Sequence, residues 1–114
     1  MSGITTHVLD TSTGRPAQGI PVILFRQTAG DGQLQEIARG LTDADGRNRN
    51  LLPNGAVVEK GVYKLRFETK EYFTRRAGGS LYPFVEIIFE ISTGEHYHIP
   101  LLLSPFGYST YRGS

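Results

Sequence analysis

The chain contains three histidines, His7, His96 and His98. Histidine is the side chain best suited to proton transfer near neutral pH. On a β-strand, side chains two residues apart project from the same face, so His96 and His98 would lie side by side. A single strand histidine is most simply interpreted as a polar residue with a local hydrogen bond. Two histidines on one strand face make a functional acid–base site as good an interpretation as a purely structural role.

Metal binding is the competing chemistry for the same histidines. His96 and His98 could both reach one zinc ion, with His7 or a carboxylate as a third ligand. No recognised ligand spacing such as His-Glu-x-x-His is present, and the chain has no cysteine. The sequence therefore favours metal-free acid–base chemistry, with no metal and no cofactor.

The run DADGR, from Asp43 to Arg47, resembles the start of a calcium-binding loop. Such a loop needs a glutamate at its twelfth position, and counting from Asp43 that position is Asn54. Asp and Gly are also common residues of tight turns. We therefore predict a turn that presents Arg47, whose permanent charge could bind a carbonyl or an anionic ring beside the histidines.

The last four residues, Tyr111–Ser114 (YRGS), directly follow a predicted hairpin. An apolar strand ends near Ser104, Pro105 and Gly107 turn the chain, and a further strand begins at Tyr108. A terminus held in a sheet has a defined position, so its side chains and carboxylate could be placed against a ligand. The alternative is an ordinary closing strand.

Bulk composition narrows the possible partners. A length of 114 residues suits one domain spanning residues 1–114, and 39% hydrophobic and 20% charged residues are ordinary for a globular protein. The net charge is +1 with no basic stripe, so we expect no binding to nucleic acid or to a membrane surface. The start resembles no secretory signal and no segment is long and apolar enough to span a membrane. Together with the lack of cysteine, this predicts a cytoplasmic location.

The hydrophobic pattern predicts short strands separated by turn residues, with no long helical period. The clearest strand is Val62–Glu68, in which apolar and polar residues alternate. One short helix is predicted at Lys70–Ala77, closed by Gly78 and Gly79. Turns are predicted at 11–16, 30–32, 43–46 and 53–55. The other predicted strands are Ile4–Asp10, Pro21–Gln27, Gln33–Gly40, Val85–Ile91, His96–Leu103 and Tyr108–Gly113.

About eight short strands at close spacing predict an all-β fold, a two-sheet antiparallel Greek-key sandwich with one short helix. A small closed barrel is the alternative. Both faces of the strand His96–Leu103 are largely apolar, with Pro100 and Leu102 on the histidine face. In a sandwich one face enters the core and the other needs a partner subunit, so the sequence predicts an oligomer.

Over almost its whole length the chain resembles the 5-hydroxyisourate hydrolases, the transthyretin-related proteins of urate breakdown. The resemblance rests on THVLD at 6–10, TGRPA at 13–17, TDADGR at 42–47, HYHIPLLLS at 96–104 and YRGS at 111–114. The Leu-Asp and Asp-Gly segments recur in many prealbumin-like sandwiches and support the fold. The histidines, Arg47 and the terminal tetrapeptide support the function.

The resemblance implies a transthyretin-like sandwich assembled as a homotetramer, a dimer of dimers whose edge strands pair and whose dimers face one another across a central channel. Active sites in this family lie in clefts where the dimers meet. The implied substrate is 5-hydroxyisourate, the unstable product of urate oxidation. The implied reaction hydrolyses an amide bond and opens the six-membered ring, giving 2-oxo-4-hydroxy-4-carboxy-5-ureidoimidazoline without a cofactor.

Carried over position by position, the resemblance assigns catalysis to His7, Arg47 and His98. A neutral His98, with His7 as helper, would take a proton from the attacking water, and Arg47 would stabilise the developing oxyanion. His96 is expected near the site rather than in it. The resemblance assigns substrate binding to the tail residues Tyr111, Arg112, Gly113 and Ser114.

Two other classes of protein share this architecture. Transthyretin, the hormone carrier, lacks the Tyr-Arg-Gly-Ser ending and the residues corresponding to His7, Arg47 and His98, so the sequence favours the enzyme. A prealbumin-like adhesion or stalk module normally belongs to a longer secreted chain, which the present sequence does not resemble.

Overall fold

The structure, a computed structural model, describes residues 3–27, 30, 32–49, 51 and 58–114. Two sheets account for the strands of this part of the chain. The first sheet contains β1 (Gly3–Asp10), β2 (Arg15–Pro16), β5 (Arg47–Asn48), β8 (His96–Ser104) and β9 (Gly107–Thr110). The second sheet contains β3 (Pro21–Gln27), β4 (Leu34–Leu41), β6 (Gly61–Phe67) and β7 (Val85–Ile91). The helix is α1 (Lys70–Ala77).

The strands of the first sheet follow the order β2-β1-β8-β9, with β5 also paired to β1, and those of the second the order β4-β3-β6-β7. This is the predicted two-sheet sandwich, and the alternative of a closed barrel is wrong. One pairing differs from the antiparallel expectation, because β1 and β8 run parallel. These strands come from opposite ends of the chain, so no tight turn joins them, and the second sheet supplies the long connection that a parallel pair requires.

Alternating burial of the strands places the core between the two sheets. In β1 every second residue from Ile4 to Asp10 is buried, and in β6 Tyr63, Leu65 and Phe67 are buried. This follows from the period of two of a strand, with apolar side chains on the face that meets the other sheet. The outer face of β1 carries Thr5, His7 and Leu9, all half-buried.

Several predicted boundaries change. The predicted strand Gln33–Gly40 lies one residue later, and the predicted loop at 11–16 ends in β2 because Arg15 and Pro16 pair with β1. The final strand ends at Thr110 instead of continuing to Gly113, which returns to the sheet through one isolated bridge to His98. The predicted turn at 53–55 lies outside the described residues, as does position 31 of the turn at 30–32.

The helix spans the predicted residues and packs on the sandwich through Tyr72 and Phe73, which are both buried. The Tyr72 hydroxyl donates a 2.8 Å hydrogen bond to Asp10 Oδ2 at the end of β1, tying the helix to the first sheet. Burial, together with this carboxylate, raises the pKa of Tyr72 to about 12. Among the described residues no helix is long and apolar enough to cross a membrane.

The turn at 43–46 sets the position of Arg47. Asp43 Oδ1 accepts hydrogen bonds from the backbone N–H groups of Asp45 at 2.8 Å and Arg47 at 3.0 Å, and these bonds hold the pKa of the Asp43 carboxyl below its usual range. Gly46 has φ +74°, and its carbonyl accepts the N–H of Val8 at 2.7 Å. The turn therefore places the next residue, Arg47, at the start of β5.

We expect Gly46→Ala to destabilise the fold. A Cβ at this position would lie 2.3 Å from the backbone oxygen of Val8, and the left-handed backbone alone costs a non-glycine residue about 1–3 kcal/mol. The measurement is urea unfolding at fixed protein concentration. Gly94→Ala is the matched control, because a Cβ there meets nothing within 4 Å. Equal midpoints for the two variants would contradict the role of Gly46.

Candidate active site

Strand pairing brings the predicted catalytic residues onto the outer face of the first sheet. The parallel register sets Thr5 opposite His98, and β5 sets Arg47 opposite His7. Residues directly opposite in a sheet share a face. Side chains from β1, β5 and β8 therefore meet on one surface, although they are far apart in the sequence.

The predicted alternation along β8 is confirmed. Tyr97, Ile99, Leu101 and Leu103 are buried, whereas His98 and Leu102 are half-buried on the opposite face. Pro100, also predicted on that face, is buried and lies beside Gly113 of the tail. His96 is exposed near the start of the strand. One face of β8 therefore packs in the core, and the other face is available for functional side chains.

Thr5 lies between two of the histidines. Its Oγ1 is 2.8 Å from Nε2 of His96 and 2.8 Å from Nδ1 of His98. Thr5 shares the outer face of β1 with His7, but the sequence alone does not tell which strand lies alongside β1. Thr5 was therefore missed as a member of the site.

The tail lies against His98 through Gly113. The Gly113 N–H donates a 2.8 Å hydrogen bond to the His98 carbonyl. A Cβ on Gly113 would lie 2.5 Å from His98 Cδ2 and 3.3 Å from Pro100 Cγ. Only a residue without a side chain fits here, because the tail crosses directly beside the imidazole ring.

Arg112 points to the other side of the strand. Its guanidinium carbon lies 4.2 Å from the centre of the Tyr97 ring, and its Nη2 is 3.4 Å from Glu95 Oε1. Tyr97 belongs to the core face, opposite His98. In this structure Arg112 fastens the tail instead of entering the histidine face, so these contacts do not support its predicted role in substrate binding.

Tyr111, Arg112 and Ser114 are the exposed members of the tail, and 57% of the Tyr111 surface is accessible. The exposed Tyr111 ring is available to a ligand or to a partner.

The surroundings of His98 favour the neutral ring. Burial lowers the pKa of His98 below its ordinary value, and the nearby Arg47 charge and the interactions with His7 and His96 lower it further. A neutral imidazole retains a lone pair that can accept a proton. Hence His98 is in its basic form at neutral pH.

The site contains no ready-made metal centre. Among the residues that the structure describes, no group of three or more His, Asp or Glu side chains could hold a metal ion. The nearest pair of histidines, His96 and His98, turn ring nitrogens towards a shared hydroxyl.

The two-sheet fold is that of a transthyretin-like sandwich, and the outer face of its first sheet carries a cluster of ionisable side chains. Residues 4–113 match the model of the HIUase/Transthyretin family. The chain belongs to that family.

Relatives and solved structures agree over nearly the whole chain. The chain is 46% identical over 114 residues to 5-hydroxyisourate hydrolase of Mus musculus, covering 99% of this chain and 96% of the relative. It is 46% identical over 120 residues to 5-hydroxyisourate hydrolase of Halalkalibacterium halodurans, covering 100% of both. The structure resembles Klebsiella pneumoniae 5-hydroxyisourate hydrolase (TM-score 0.86, 38% identity, 100% of both chains). It also resembles transthyretin from Sparus aurata (TM-score 0.89, 33% identity, 99% of this chain and 97% of that chain).

We expect the pKa of His98 to rise in Arg47→Ala, because removing a nearby positive charge stabilises the imidazolium form. The measurement is an NMR titration of the His98 ring. Arg49→Ala is the matched control, since Arg49 is ion-paired with Asp43 at 3.1 Å. Identical titration of His98 in the wild type and in Arg47→Ala would contradict the electrostatic coupling.

Proposed function

We propose that the protein is a 5-hydroxyisourate hydrolase, which opens the six-membered ring of its substrate by hydrolysing an amide bond in urate degradation. The observation that carries the proposal is the meeting of His7, Arg47 and His98 on one sheet face, with the tail lying against His98. The names of the relatives at 46% identity support the same activity.

The proposed reaction uses a neutral His98 as general base. Its ring takes a proton from water while the water oxygen attacks the amide carbonyl. The C–N bond then breaks, and the leaving nitrogen receives the proton from the imidazolium. The lowered pKa of His98 supports this role, because it keeps the ring unprotonated before the reaction and lets the imidazolium return the proton readily afterwards.

Arg47 is the proposed stabiliser of the oxyanion. Its guanidinium stays charged at any working pH and presents several N–H donors to one oxygen. It is half-buried in β5 beside His7, which reduces the screening of its charge by water. His7 is proposed to assist His98 in orienting the water.

Substrate binding is proposed for the tail. Tyr111, Gly113 and Ser114 would border the substrate, with Gly113 letting the tail approach the His98 ring. Arg112 is proposed to contribute by anchoring the tail to Tyr97 and Glu95.

A homotetramer is proposed as the working assembly. The outer faces of the two sheets differ, and this difference supports the proposal. On the second sheet the outer face carries charged side chains, since Lys64 and Arg66 form ion pairs with Glu86 at 2.9 and 3.3 Å. On the first sheet, Leu9 and Leu102 are paired and half-buried among the histidines, as expected for a surface that meets a partner.

The proposed single domain over residues 1–114 and the proposed cytoplasmic location rest on the sequence. The cysteine-free composition suits a reducing compartment.

We expect the purified protein to accelerate the decay of 5-hydroxyisourate generated in situ by urate oxidase, followed by ultraviolet absorbance. Loss of the Arg47 donor should reduce kcat in Arg47→Ala by about 10²–10³. Loss of the base should reduce it in His98→Asn by about 10²–10⁴.

Arg49→Ala serves as the control in this assay. Arg49 is only two residues from Arg47 in the sequence, but its side chain is ion-paired with Asp43. Decay no faster than the spontaneous rate, from folded wild-type protein, would overturn the hydrolase. Binding of thyroxine by that inactive protein would then identify a carrier. Full activity of His98→Asn would refute its role as base.

We expect Leu102→Glu to weaken the assembly of dimers into tetramers, because it buries a charge in the proposed interface. Sedimentation velocity over a range of protein concentrations measures this. Ile37→Glu is the control, since Ile37 is 41% exposed on β4 of the second sheet. The proposed interface would be contradicted if the wild type sedimented as a monomer. It would also be contradicted if the Leu102→Glu variant were as tetrameric as the wild type.

A further inference from the structure

The hydroxyl of Thr5 lies between His96 and His98, and it contacts one nitrogen of each ring at 2.8 Å. Thr5 is directly opposite His98 in the parallel ladder and half-buried on the same face. Both the distance and the register are therefore fixed by the sheet.

The number of available hydrogens limits which groups can donate in the contacts between Thr5 and the two histidine rings. A threonine hydroxyl has one hydrogen to donate and two lone pairs, and a neutral imidazole has one N–H and one bare nitrogen. Thr5 can donate to at most one of the two rings, and a ring to which it does not donate must donate its own N–H to Thr5 Oγ1. This leaves two arrangements in which Thr5 is a donor.

The two arrangements have opposite consequences for His98. If Thr5 donates to His98 Nδ1, the proton of the neutral ring is on Nε2, and that nitrogen cannot accept another. If Thr5 donates to His96 Nε2, it accepts the N–H of His98 Nδ1, and Nε2 of His98 keeps its lone pair. The hydrogen bond at one ring nitrogen thus decides the state of the other.

We propose that Thr5 is a positioning residue that, with His96 as its acceptor, holds His98 in the Nδ1–H tautomer and leaves Nε2 free to take the proton from water. The inference rests on the proposed role of His98 as general base. Gly113 borders the Cδ2 side of the ring, so the ring is held between Thr5 on one side and the tail on the other.

This arrangement gives the exposed His96 a function without contact to the substrate. Its bare Nε2 receives the Thr5 hydrogen and so prevents the hydroxyl from turning towards His98. When His98 becomes an imidazolium, its Nδ1–H bond to Thr5 becomes charge-assisted and stronger. Thr5 consequently stabilises the protonated intermediate as well as the correct neutral tautomer.

The test compares Thr5→Val, which keeps the branched shape and removes the hydroxyl, with Thr5→Ser, which keeps the hydroxyl. The tautomer of His98 is read from the ¹⁵N chemical shifts of its ring in the folded protein above the pKa of the ring, without substrate. Activity is measured in parallel as kcat and KM, and circular dichroism verifies folding.

We expect wild type and Thr5→Ser to show a protonated Nδ1 and a bare Nε2 on His98. Thr5→Val should lose this preference, with kcat reduced about 10–100-fold, the usual effect of removing an orienting partner from a functional histidine, and KM nearly unchanged. His96→Ala should shift the tautomer in the same direction even if Thr5→Val fails to fold.

A wild-type His98 that carries its proton on Nε2 would overturn the inference. So would a His98 tautomer that stays unchanged in both folded Thr5→Val and His96→Ala. Because the tautomer is measured without substrate, these results are separate from the hydrolase test. An inactive wild type with the expected tautomer would overturn the proposed function alone.

Discussion

The parallel pairing of β1 with β8 is the constraint on which the rest of the site depends. It joins the first and last thirds of the chain and sets Thr5 opposite His98 and His7 opposite Pro100. β5 pairs with β1, and the tail pairs with β8 through Gly113. The positions of Arg47 and Gly113 therefore also depend on the pairing of β1 with β8.

The core fixes the register of this ladder. Val8 and Leu101 are directly opposite and both fully buried, and a slip by one residue would turn them outwards and the histidines inwards. Apolar burial therefore determines the positions of polar groups that contribute little to the core themselves. A substitution in the core could alter the site without touching any of its residues.

Much of this arrangement could be predicted from local pattern. The alternation along His96–Leu103 predicted which side chains enter the core, and Asp and Gly at 43–46 predicted the turn before Arg47. These features depend on neighbours in the sequence, where the period of a strand and the chemistry of a turn are sufficient.

The parts that could not be predicted depend on partners distant in the chain. Thr5 is an unremarkable strand residue until it meets rings 91 and 93 positions away. The parallel direction of β1 and β8 likewise follows from how the whole sandwich closes, which no local pattern encodes. Arg112 belongs to a sequence signature of function, yet the structure places its guanidinium over the Tyr97 ring, away from the histidines.

The electrostatics of the face favour the neutral form of His98. Arg47 contributes a permanent positive charge, so protonation of His98 is opposed by its surroundings. The same charge becomes favourable once a negative oxygen develops nearby. The site is therefore better matched to an oxyanion than to an uncharged ligand.

Two contacts in different directions fix the position of the tail. Gly113 lies against the His98 ring, whereas Arg112 reaches the Tyr97 ring. Because the two residues are neighbours in the chain, inserting or deleting a residue between Thr110 and Tyr111 would displace both contacts together. The length of this short segment is therefore constrained from both of its sides, although it belongs to no strand.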